Sequence, residues 1–156
     1  MSTKEPIRDE NDVFSIMKDI MEKMGDRAPS LRLPPLCAEE FKIHYTEYIR
    51  GKSLTAVFPV PEKYCNPADV LQGGVLCAYF DNVFGPFAFL EARAYATSLD
   101  LNTNYIRPVK PNEEIRIHAE IKGRGKDTLN IYGEALNKKN KLLATATSNM
   151  YIFKFK

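Results

Sequence analysis

The sequence predicts an α+β fold in which a long central helix is wrapped by a five- to six-stranded antiparallel sheet. Three observations predict it. The stretch from Gly73 to Ala92 is apolar nearly all round a helical wheel, as in a helix enclosed by other elements. Runs with a period of two stand on both sides of it, as strands with one buried face require. A length of 156 residues, 44% apolar and 27% charged, suits one domain able to bury a core unaided. Residues 40–156 are expected to form that domain. Residues 1–39 are expected to add an N-terminal helix and a proline-containing connector.

The elements follow in chain order. Asn11 or Asp12 caps a first helix, with Val13, Phe14, Ile16, Met17, Ile20, Met21 and Met24 at helical spacing and Gly25 as its stop. From Asp26 to Ala38 the prolines Pro29, Pro34 and Pro35 make an irregular connector, and Leu31, Leu33 and Leu36 lay it on the domain surface. Phe41, Ile43, Tyr45 and Glu47 alternate with Lys42, His44 and Thr46. Gly51-Lys52 turns the chain, Leu54, Ala56 and Phe58 resume the alternation, and Pro59 and Pro61 close the hairpin. Glu62 to Leu71 is a loop whose strongest turn signal is Asn66-Pro67.

Gly73-Gly74 opens the central helix, where Val75, Leu76, Tyr79, Phe80, Val83, Phe84 and Phe87 trace a wide stripe. Its length would be roughly 30 Å. Pro86 is expected to kink it or to end its first part near Gly85. Four strand-like runs follow: Tyr95–Ile106, Ile115–Lys122, Thr128–Leu136 and Leu142–Phe153. In the second, Ile115, Ile117, Ala119 and Ile121 face one way and Arg116, His118, Glu120 and Lys122 the other. The links Lys122–Asp127 and Asn137–Lys141 are short hairpin loops. An eight-residue strand reaches roughly 27 Å, enough to cover most of the helix.

Charge and cysteines restrict the function classes. A net charge of +2 and a pI near 8.4 are too mild to argue for nucleic acid. Residues 1–40 hold six Lys/Arg against nine Asp/Glu, and residues 107–141 hold nine against five. The basic half either attracts an anionic ligand or is a solvated face. Cys37, Cys65 and Cys77 have no metal-ligand spacing with His44 or His118, so no metal is expected and a reducing compartment is. The first ten residues lack an apolar core, and Val75–Leu90, broken by Asp81, Asn82 and Pro86, is too short to span a bilayer. The expected location is cytoplasmic.

The chemistry concentrates in the helix. Asp81 is a carboxylate inside an apolar segment, and burying one without partners costs several kcal/mol. Cys77 one turn back, Gly85 one turn on, and Ala78 and Ala88 beside them leave space around it for a ligand or a neighbouring backbone. Asp81 serves a reacting group, ties helix to sheet or marks a snug subunit contact. Gly73-Gly74 presents free N–H groups at the positive end of the helix dipole, and Gln72 adds an amide donor. Such donors suit a developing oxyanion or simply a tight turn into the helix. Cys77 reads as core, and His44 and His118 as surface residues. Tyr79, Phe84, Phe87 and Phe89 belong to the core or line an acyl pocket.

The segment Asn66 to Gly85 resembles the hot-dog thioesterases, in the branch that contains the phenylacetate-pathway thioesterases and the small acyl-CoA thioesterases of animals. That family typically shows an Asn, then His-Gly-Gly six residues on, then an Asp nine residues after the His. Asn66, Gln72-Gly73-Gly74 and Asp81 stand at those spacings. Leu99-Asp-Leu-Asn-Thr-Asn-Tyr-Ile-Arg-Pro108 resembles the family's next strand, and Leu143-Ala-Thr-Ala-Thr-Ser148 its last, so the likeness covers residues 40–153.

The resemblance implies a hot-dog fold and a site between two subunits that hydrolyses an acyl-CoA thioester, with CoA as part of the substrate and no other cofactor. Asp81 would be nucleophile or general base, Gly73 the oxyanion donor and Asn66 a holder of thioester or water. Ser98 would orient water, one residue nearer Asp81 than in relatives. Gln72 replaces the usual His: it can donate to a carbonyl but cannot shuttle a proton. Arg107, Lys110, Arg124 and Lys126 are the candidates for the CoA phosphates. The expected partners are an acyl-CoA and a second copy, as a homodimer or a dimer of dimers (homotetramer). The alternative is a hot-dog protein that binds acyl-CoA without hydrolysing it. A dehydratase is disfavoured because Asn66–Gly85 holds no histidine.

Overall fold

A computed structural model of the chain describes residues 5–25 and 31–154. Among these residues three α-helices, a 3-10 turn over Glu62–Tyr64 and seven strands follow one another. The helices and strands are α1 (Glu10–Met24), α2 (Leu36–Glu40), β1 (His44–Ile49), β2 (Ser53–Pro59), α3 (Gly73–Ala92), β3 (Ala96–Ser98), β4 (Asn102–Tyr105), β5 (Glu114–Arg124), β6 (Thr128–Leu136) and β7 (Leu142–Ile152). A single antiparallel sheet runs β1-β2-β5-β6-β7-β3, and β4 also pairs with β7. The count reaches seven because the run Tyr95–Ile106 is broken at Asp100. There the carboxylate accepts from Asn149 N (3.0 Å) and Asn149 Nδ2 (2.7 Å), and the Asp100 carbonyl accepts from Ser148 Oγ (2.7 Å).

The sheet curls round α3 because its inner face is small where the helix is large. Gly133 of β6 pairs across the register with Ala119 and Ala146. A Cβ on Gly133 would stand 2.7 Å from the Phe84 ring and 3.2 Å from that of Phe80, so only glycine admits the helix at this depth. Leu76, Tyr79, Phe80, Val83, Phe84 and Phe87 are all buried, as the stripe requires. The helix α3 spans Gly73–Ala92 as expected, and over that whole length it is apolar enough to cross a bilayer, which the narrower stretch Val75–Leu90 did not suggest. Its apolar side chains pack within the core formed by this chain's own sheet.

Pro86 neither kinks α3 into two helices nor ends it: the helix runs unbroken through it. A proline lacks the N–H that would bond four residues back, leaving the Asn82 carbonyl without its helical donor. The Tyr45 hydroxyl donates to that oxygen at 3.0 Å. Burial, aided by Glu10, pushes this hydroxyl far above the ordinary tyrosine range, so it remains a donor.

The N-terminal region joins the same core. Asp9 caps α1, its carboxylate accepting from Asn11 N at 2.9 Å, so the helix starts before the expected Asn11 or Asp12. Val13, Met17 and Ile20 are buried. Glu10 fastens α1 to β1, accepting from Tyr45 N (2.9 Å) and meeting His44 Nδ1 (2.8 Å). Part of the connector is helical: the Pro35 carbonyl accepts from Ala38 N and Glu39 N and so starts α2. Pro29, counted in that connector, lies outside the described residues.

Candidate active site on the open face of the central helix

One face of α3 is left uncovered by the sheet. Asp81 is exposed there, with Cys77 and Gly85 half-buried one turn to either side. The expectation of a buried, poorly solvated carboxylate is therefore not met within one chain. The apolar residues around it in sequence point to the opposite side of the helix. Ala88, expected in the same open strip, is fully buried, so the strip closes at the helix's last turn. Ser98 of β3 is exposed beside Asp81, and its hydroxyl donates to Asp81 Oδ1 at 2.8 Å. This holds one carboxylate oxygen and leaves Oδ2 without a hydrogen bond among the described residues. Ser98 and Asp81 are the two predicted residues that meet directly.

The helix start is a second cluster. Gln72 is the N-cap, its side-chain oxygen accepting from Val75 N at 3.1 Å. Glutamine is not among the favoured capping residues. It fits here because Gly74 has no side chain: a Cβ there would stand 2.9 Å from Gln72 Oε1. With the oxygen committed to the cap, Nε2 is the outward, donating end of the amide. Gly73 N–H and Gly74 N–H have no acceptor among the described residues and precede the first intrahelical bonds. They are donors at the positive end of the helix.

Tyr105 is a residue the sequence reading passed over. Its hydroxyl donates to the Gly73 carbonyl at 2.8 Å, and a Cβ on Gly73 would stand 3.1 Å from its ring. Partial burial, with a lesser push from Cys77, raises its hydroxyl above the usual tyrosine range and keeps it protonated. Thr103 shares Tyr105's side of the strand, and its buried hydroxyl has no partner among the described residues. Tyr105, Ile106 and Arg107 border a cavity of about 280 Å³ with Gly73 and Leu76. The alternation of β4 was visible in the sequence, but nothing local marked which face would meet the helix start.

The remaining candidates are dispersed. Asn66 is exposed and folds its own loop, its Oδ1 accepting from Ala68 N (2.9 Å) and Val70 N (3.3 Å). It lies near the helix start through the Cys65–Leu71 bridge and makes no hydrogen bond with Asp81 or Ser98. Arg107 is at the same end, donating to the Leu142 carbonyl at 2.6 Å. Lys110 is exposed close by, three residues past Arg107. Arg124 is at the far end of α3, 3.4 Å from Glu91, and Lys126 is exposed beside it. One protomer thus does not gather the four cations. His44 and His118 pair with Glu10 and with Thr55 and Glu120, away from α3. No metal-ligand cluster exists among the described residues.

Asp81 and Gly73 are eight residues apart on one helix, about 12 Å along its axis. A single bound carbonyl cannot touch both within one chain.

A long helix enclosed by a curled antiparallel sheet is the hot-dog arrangement, and the model of the thioesterase superfamily matches residues 69–144 of this chain. Its likeness runs to the phenylacetate-pathway thioesterase-like branch. The fold is shared with the E. coli PaaI protein of the phenylacetic acid degradation operon (TM-score 0.76, 16% identity, 93% of this chain and 96% of that one). A phenylacetic acid degradation-related protein from Ralstonia eutropha JMP134 matches at TM-score 0.69 and 28% identity, over 85% of this chain and 98% of that one. A Streptococcus mutans UA159 protein bound to acetyl CoA matches at TM-score 0.69 and 17% identity, over 84% and 99%. No curated protein matches the chain.

Proposed function

We propose that the protein hydrolyses an acyl-CoA thioester at a site shared by two copies of the chain. The observation that carries this is the Asp81 carboxylate, exposed midway along a largely apolar helix and held through one oxygen by Ser98. The acetyl CoA bound to the Streptococcus mutans protein of the same fold supports CoA as the carrier.

The need for two copies follows from the spacing along α3. The run from β3 to β4 carries Ser98, beside Asp81, at one end and Tyr105, against Gly73, at the other. β3 and β4 pair only with β7, and Leu99 (62% exposed), Tyr105 (55%) and Ile106 (47%) leave their outer edge apolar. An unpaired apolar edge is a site for strand addition. Antiparallel pairing of this run with its own copy about Leu101–Asn102 sets Ser98 of one chain opposite Tyr105 of the other. That brings Asp81 of one protomer to the free N–H groups of its partner.

In this site Gly73 N–H and Gln72 Nε2 polarise the thioester oxygen. Asp81 Oδ2 either removes a proton from water, which attacks the acyl carbon, or attacks that carbon itself. The direct attack breaks the C–S bond to expel the CoA thiolate and leaves an Asp81–acyl anhydride, which water then hydrolyses to the free acid and the carboxylate. On the water route the C–S bond breaks, and the proton held on Asp81 passes to the departing sulfur. Arg107 and Lys110, near the helix start, would meet the CoA phosphates. Arg124 and Lys126 would reach them only from the partner. The three free cysteines agree with a reducing, cytoplasmic setting.

Thiol release from a panel of acyl-CoAs tests the proposal. Wild type should release CoA, and Asp81→Asn should lose at least ~10²-fold in kcat with unchanged melting temperature and oligomer size. Wild-type-like turnover by Asp81→Asn overturns the assignment. Tight acyl-CoA binding without thiol release favours the binding protein instead.

A further inference from the structure

The geometry points to the apolar pocket between α1, residues 31–35 and the second half of α3 as the seat of the substrate's acyl group, with capacity for a compact group of about benzene size. This rests on the thioesterase proposal, which places the carbonyl at Asp81, and it adds the size of the acyl group.

The pocket has a volume of about 180 Å³, and nearly all its lining is apolar. Its walls include Phe14 and Met21 of α1, Gly85 of α3 and Ala96 of β3. Three side chains with polar ends border it, Arg32, Tyr45 and Tyr95, and Arg32, which alone carries charge, is engaged elsewhere. The Tyr45 hydroxyl is spent on the Asn82 carbonyl, and the Arg32 guanidinium meets Glu39 at 3.3 Å. An apolar cavity of ~150 Å³ is large enough to accept benzene.

Its position ties it to the carboxylate along two elements at once. Gly85 is one helical turn beyond Asp81, about 6 Å along the axis. Ala96 is two strand residues from Ser98, about 6.6 Å away on the same face of β3. Since Ser98 and Asp81 are hydrogen-bonded, both paths lead from the reacting carbonyl to one cavity. Gly85 has nothing within 4 Å of where a Cβ would stand, so no contact inside the chain demands glycine there. A glycine in a helix interior is destabilising relative to alanine. Its gain is the open mouth of the pocket.

Binding of non-hydrolysable ketone analogues of acyl-CoAs, graded from acetyl to dodecanoyl, tests this by calorimetry. Wild-type affinity should rise about fourfold per methylene up to hexanoyl or octanoyl and then level off. Gly85→Leu should flatten that slope, and Met21→Ala should extend it to longer chains. A flat wild-type slope, or a wild-type slope in both folded variants, overturns the pocket. If Gly85→Leu does not fold, an unchanged slope in Met21→Ala overturns it alone. Thiol release from the matching thioesters is read separately. A steep slope without release keeps the pocket and sinks the hydrolase, whereas release with a flat slope does the reverse.

Discussion

Gln72 does two jobs with the two ends of one amide. Its oxygen caps the central helix, and its nitrogen faces the place where the thioester oxygen is proposed to sit. Gln72→Glu separates them, because a carboxylate still accepts from Val75 N but donates nothing. The expected outcome is a kcat lower by about 10²-fold with little change in melting temperature. An equal loss of stability and rate would assign Gln72 to capping alone. The sequence disclosed Gln72, Gly73 and Asp81 through their spacing, since one helix fixes their relative heights. It did not disclose that Asp81 lies on the open side. A wheel that is apolar all round has no polar face to point the way. Tyr105 stayed hidden because its partner, the Gly73 carbonyl, is 32 residues away in the chain.

At the level of elements, α3 survives Pro86 because β1 supplies the missing donor. Tyr45→Phe should cost about 1–3 kcal/mol in denaturant unfolding by leaving the Asn82 carbonyl buried and unpaired. In a Pro86→Ala background the same change should cost much less, since an alanine at that position restores an N–H to the carbonyl. Additive losses would show that the two residues act separately. The strand runs were legible because burial on one face imprints a period of two. In the first, however, the expected alternation of Phe41, Ile43, Tyr45 and Glu47 fails: β1 starts at His44, and a bulge between Tyr45 and Glu47 turns Tyr48 inward instead. The break at Asp100 was not legible, for it depends on Asn149 and Ser148 of a strand far along the chain. Pro86 read as a stop for the same kind of reason: the hydroxyl that satisfies the Asn82 carbonyl comes from Tyr45, 37 residues upstream of Asn82.

For the whole molecule, the separation of Asp81 from Gly73 makes complementation the decisive test. Asp81→Asn and Gln72→Glu chains, each impaired alone, should on mixing and re-association regain about a quarter of wild-type activity. Random pairing makes half the dimers mixed, and each mixed dimer holds one intact site. No recovery, with mixed dimers present by native mass spectrometry, would place both clusters in separate sites. The topology also has a consequence for synthesis. The most apolar helix precedes β3 to β7, and β7 holds β6 on one side and β3 and β4 on the other. Until β7 has emerged from the ribosome, the sheet cannot close: β1, β2, β5 and β6 can cover the aromatic stripe of α3, but β3 and β4 have no strand to join. Nascent chains should therefore lean on holding chaperones late into translation, and collapse to the native state should come in one step near its finish.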